Sequence, residues 1–99
     1  MSASHTPPLP RSEPFPGRAL AIRGAKTGRD LARACVRYAA ALILLRAMRG
    51  QAPDLACEVV AGSVVQHVRH CAVRPKPSSR QVAAVVEAAF TLAERAAAA

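Results

Sequence analysis

Prolines set the outer limits of this fold. The chain carries eight of them, at positions 7, 8, 10, 14, 16, 53, 75 and 77. Proline fixes φ and lacks an amide hydrogen, so it breaks helix interiors and is confined to sheet edges. The opening "HTPPLPRSEPFPG" is therefore read as extended, polyproline-like or disordered chain. Within it, "PPLP" resembles the short ligands of proline-recognising domains. A tail over residues 1–28 is expected. A transit peptide would also be poor in acids and rich in arginine, but these prolines oppose the amphipathic helix it needs.

Between the later prolines the sequence marks helix ends. Thr27 is a good N-cap with Asp30 three residues on, and Gly50 stands where a helix should stop. Pro53 and Asp54 suit a first helical turn. "VRPKPS" breaks the second segment, and "SSRQ" at 78–81 forms a capping box for a third. Helices are expected over about 28–49, 54–72 and 79–96, and no alternating strand pattern competes. The expected fold is all-α: a small three-helix domain over residues 29–99, behind a disordered Pro-rich basic tail.

The three segments differ in how apolar residues are distributed. The last is two-sided, with Val82, Val85, Val86, Ala89, Phe90, Leu92, Ala93 and Ala96 opposite Arg80, Glu87, Thr91, Glu94 and Arg95. The first is not. Leu31, Cys35, Tyr38, Leu42 and Leu45 form one face, while Val36, Ile43 and Leu44 lie well away from it. Two neighbouring helices cannot cover such a segment completely. Val36, Ile43 and Leu44 are therefore expected at a protein interface, either a homodimer contact or a docking surface, unless the tail folds over them. The run "AAALILL" is too short to span a bilayer and sits between Arg37 and Arg46, so no membrane association is expected.

"VVQHVRHC", residues 64–71, gathers His67, His70 and Cys71, with Cys57 and Cys35 upstream. On a helical wheel Val60, Val64, Val68 and Cys71 share a stripe, His67 borders it and His70 faces out. His67 and Cys71 could supply two ligands. Cys57 lies about 20 Å from Cys71 along a helix, and zinc holds its ligands at about 2.0–2.3 Å. As a nucleophile, Cys71 would sit at a helix C-terminus, where the dipole disfavours a thiolate. No phosphate loop, paired acids or serine-nucleophile motif is present. No catalytic residue, metal site or cofactor is expected, and the chain is read as no enzyme. Three cysteines in no paired spacing read as free thiols of a reducing, cytoplasmic compartment.

The basic residues point to a partner. The net charge is +8, from 14 Lys+Arg against 6 Asp+Glu, and aromatics are only 3%. An excess of this size favours anionic partners, and few aromatics disfavour a small-molecule pocket. Lys26, Arg29, Arg33 and Arg37 follow near-i+4 spacing at the N-terminal end of the first helix, where the dipole opposes cations. Amides and guanidinium groups together suit phosphate oxygens. Arg69, Arg74, Lys76 and Arg80 form a second cluster around the turn between the last two helices. "PSSRQVAAVVEAA" has the general shape of a helix-turn-helix recognition helix, but Glu87 and Glu94 on its exposed face would repel phosphates. The sequence is thus read as a non-enzymatic basic nucleic-acid-binding accessory or regulatory protein. DNA or RNA backbone, or an acidic protein surface, is the expected partner, and the chain itself is expected to form a homodimer. The competing reading is a helical adaptor or inhibitor that docks through the apolar first helix.

Overall fold

The computed structural model describes residues 8–51 and 53–98, with side chains over 8–51 and 58–95. These residues form four helices and no strand: α1 Pro16–Gly24, α2 Gly28–Met48, α3 Pro53–Val68 and α4 Ser79–Ala98. The all-α class is as expected. The helix count is not, because α1 falls inside the segment read as a tail.

The reason lies in where proline acts. Pro16 occupies the first turn of α1. There the missing amide has no helical partner to lose, and the fixed φ is already helical. The next proline is Pro53, so the argument against a helix ends at residue 16. Nine isolated residues would not hold a helix in water. Here Ala19 and Ile22, three apart on one side, are buried in the shared core. Leu9 and Phe15 of the proline-rich stretch are also packed against that core. Residues 1–7, at the head of the expected tail, lie outside the described residues.

The cap signals behave as their chemistry requires. Thr27 Oγ1 accepts the Asp30 amide at 3.1 Å. At the other end of α2, Gly50 adopts φ +74°. The Gln51 amide then reaches Arg46 O at 3.1 Å and the Gly50 amide reaches Ala47 O at 3.0 Å, which closes the helix with a left-handed glycine. Ser78 and Gln81 cap α4 reciprocally: Ser78 Oγ accepts the Gln81 amide at 3.2 Å, and Gln81 Oε1 accepts the Ser78 amide at 2.8 Å. Helix α3 stops at Val68 rather than Ala72. The chain leaves the helix there, and the Ala72 amide donates to Ala25 O, in the α1–α2 link, at 3.0 Å.

Helix α2 is central and packs against α1, α3 and α4. Its Leu31, Cys35, Tyr38 and Leu42 meet Ile22 of α1, Val60, Val64 and Val68 of α3, and Val86, Ala89 and Ala93 of α4 in one core. Four elements rather than three account for much of the apolar excess on α2. Val36 and Ile43, expected at an interface, are partly buried against the chain's own core, and Leu44 is exposed. Leu92, expected on the inner face of α4, is 48% exposed. Among the described residues no helix is long and apolar enough to cross a membrane.

Candidate functional site

Two polar arrangements stand out, one buried and one open. The buried one explains "VVQHVRHC". His67 sits on the inward side of α3, beside the valines whose spacing turns that side toward the core, and its side chain is 2% exposed. Arg23, on the last turn of α1, donates from Nε to His67 Nδ1 at 3.1 Å. A guanidinium can only donate. Nδ1 must therefore accept, the ring hydrogen sits on Nε2, and Nε2 donates to Glu13 Oε1 at 2.7 Å. Glu13, only 5% exposed at its side chain, also accepts the Tyr38 hydroxyl at 2.8 Å and the Phe15 amide at 3.1 Å. The Tyr38 and His67 rings meet edge to face at 5.2 Å.

The charges of this cluster are settled internally. Burial alone would raise the Glu13 carboxyl. Hydrogen bonds from the Phe15 amide, Tyr38 and His67 outweigh it and hold Glu13 below its ordinary 4.5. Burial, then the hydrogen bond to Glu13 and its charge, pushes the Tyr38 hydroxyl up, so it stays a donor. Both ring nitrogens of His67 are engaged, which removes it from the two-ligand pairing with Cys71. Among the described residues no three His, Cys, Asp or Glu side chains gather as a metal would need. Cys35 and Cys71 are free and buried, and burial together with the neighbouring Cys71 raises the Cys35 thiol to about 12. The Cys57 side chain lies outside those described.

The open arrangement lies between α1 and α2. Arg33 and Arg37 of the expected stripe line a groove of about 730 Å³, and Arg18 of α1 joins them. Gly17, Ala21, Gly24 and Ala34 leave the groove bare of bulk, and Asp30 is the one acid among the described residues that line it. Arg18 is steadied over the Phe15 ring at 5.7 Å. Lys26 and Arg29 are exposed beside it in sequence, at the α1–α2 link and the first turn of α2. A second furrow of about 500 Å³ shares Arg18 and Arg37, then continues along Ala40, Ala41, Leu44, Leu45 and Met48 with Phe15.

The second basic cluster is separate. Arg69, His70 and Lys76 line a pocket of about 410 Å³ between α3 and α4. The imidazole of His70 is held below its ordinary value, first by burial and then by the positive charges of neighbours that include Arg23 and Lys76. Arg74 turns back on the chain and donates to the carbonyls of Cys71 and Val73 at 3.1 and 2.8 Å. Arg80 is exposed on the first turn of α4. Of the two basic clusters expected, Arg33 and Arg37 line the α1–α2 groove and Arg69 and Lys76 line the α3–α4 pocket, whereas Lys26, Arg29, Arg74 and Arg80 line neither.

Sequence reasoning missed Arg18, Arg23, Glu13 and the polar role of Tyr38. The one available signal was Glu13, the lone acid before Asp30, in a stretch with no other reason to hold one. Compared with family models, curated proteins and solved structures, the chain matches none of them.

Proposed function

We propose that this chain is a non-enzymatic, basic nucleic-acid-binding accessory protein. The observation that supports this most is the joining of Arg18 to Arg33 and Arg37 across one groove. Three guanidinium groups on two helices present paired donors to phosphate oxygens from both sides. The glycines and alanines between them let a sugar–phosphate backbone approach closely. Arg29 extends the contact toward the α2 N-terminus. Arg69, Lys76 and Arg80 at the α3–α4 corner offer a second set of phosphate contacts. Such contacts position a protein on nucleic acid without reading its sequence.

The experiment is a titration of labelled duplex DNA and RNA at several salt concentrations. Affinity falls steeply with salt, and Arg33→Glu with Arg37→Glu weakens it at least about tenfold and flattens the salt slope by about one per lost phosphate contact. Unchanged binding in that double variant overturns the proposal.

A second reading, a helical adaptor or inhibitor for an acidic protein partner, is favoured by a different observation. Leu44 and Met48 are 58% and 77% exposed, one helical turn apart, on the furrow that continues the arginine groove.

A further inference from the structure

Helix α1 is too short to accompany α2 along its whole length. It has nine residues against 21, or about 13 Å against about 31 Å at the α-helical rise. The α1–α2 groove takes its α2 lining from Asp30 to Arg37, and α1 contributes residues up to Gly24. Phe15, just before α1 begins, already stands beside Ala40 and Ala41. From Ala40 to Met48, about 12 Å of α2 continues past the start of α1.

Among the described residues, the flank of that length that α1 does not reach is patterned like a binding surface for a helix. Ala40, Ala41, Leu44, Leu45 and Met48 recur at one-turn spacing on one flank of α2. Single exposed apolar residues are ordinary. Leu44 and Met48 instead border a shared depression with Phe15. Alanines on its floor admit another backbone closely, and a methionine at its end adapts to varied side chains.

Charge selects the occupant. Among the described residues the ionic groups lining this furrow, Arg18 and Arg37, are both positive and stand together at its head. A second copy of the chain would bring another net charge of +8 against them. A phosphate backbone has no apolar surface to match Leu44 and Met48. An amphipathic helix with carboxylates beside one end of its apolar face satisfies both parts.

We propose that the furrow receives such a helix, about three turns long, from an acidic protein partner. Its apolar face lies between Phe15 and Met48, and its carboxylates meet Arg18 and Arg37. This gives the adaptor reading its partner and rests on that reading. It does not depend on nucleic-acid binding at Arg29 and Arg33.

The test is a selection from displayed helix-forming peptides of about 14 residues, apolar at i, i+3, i+4 and i+7 and randomised among Glu, Gln and Lys elsewhere, with the full-length chain as bait. Selected peptides are expected to carry Glu in preference to Lys toward one end. Their affinity should fall at least about tenfold in Leu44→Glu with Met48→Glu. Glutamate is a good helix former at these exposed positions, and an unchanged circular dichroism spectrum establishes that the variant is folded. Arg29→Glu with Arg33→Glu should leave peptide affinity intact while weakening nucleic-acid binding, which separates failure of this proposal from failure of the nucleic-acid reading. Three results overturn the proposal: no enrichment, lysine-rich winners, or binding unaffected by the Leu44 and Met48 changes. So does a dimer of the unliganded chain that Leu44→Glu dissociates, because a second copy then covers the furrow.

Discussion

The cluster around His67 and the groove around Arg33 are built from the same short helix used in opposite ways. From α1, Arg23 points inward to His67, and Arg18 lines the open groove with Arg33 and Arg37. The inward groups satisfy one another: carboxylate, imidazole, phenol and guanidinium form one connected set. The three outward arginines share their groove with one acid among the described residues, Asp30. A buried polar group without its partner costs far more than the pair gains in water. An exposed cation costs little. The cluster therefore holds the fold, and the arginines of the groove stand open to solvent.

Removing one member of the buried set should have the largest effect. His67→Ala takes one hydrogen-bond partner from each of Glu13 and Arg23 and opens a cavity in the core, and a loss of about 3 kcal/mol or more in urea unfolding is expected. A change under about 0.5 kcal/mol would put the cluster on a par with surface positions.

Glu13→Gln sharpens the same point through pH. The Glu13 carboxyl is held below its ordinary 4.5 in the folded chain, so the unfolded chain binds its proton first as pH falls. Its contribution is thus fully present above about pH 4.5 and is lost as pH drops through the depressed value. The variant should show a flatter loss of stability on the acid side than the wild type, measured by unfolding at a series of pH values. Parallel curves would mean that Glu13 is not held as described.

Tyr38→Phe removes one donor and keeps the ring against His67. Glu13 retains the Phe15 amide and His67, so a smaller cost of about 1–2 kcal/mol is expected from urea unfolding. Smallest of all is the effect of Arg33→Glu with Arg37→Glu on folding, within about 0.5 kcal/mol by the same measurement. A large loss there would erase the contrast between the two regions.

Much of this contrast was hidden from the sequence for physical reasons. Local signals were legible: Thr27, Gly50 and the Ser78–Gln81 box each act on residues within a turn, and their hydrogen bonds stand where expected. The inward valines of α3 and, on α4, Val82, Val85, Val86, Ala89, Phe90 and Ala93 follow from helical period alone, whereas Leu92 is exposed and the Ala96 side chain lies outside those described. Helix α1 was not legible, because its stability comes from burying Ala19 and Ile22 against helices later in the chain. His67 and Glu13 are 54 residues apart, and no local rule joins them. Once α1 was missed, Arg18 was missed with it. The arginine stripe was visible, but its opposite wall was not.

The most direct test of the account is an amide chemical-shift titration of the whole chain with a short duplex. The account predicts shifts concentrated in residues 17–37, a second set at 69–80, and little change at the amides of Tyr38 and His67. Shifts absent from 17–37, or centred on the buried cluster, would contradict it.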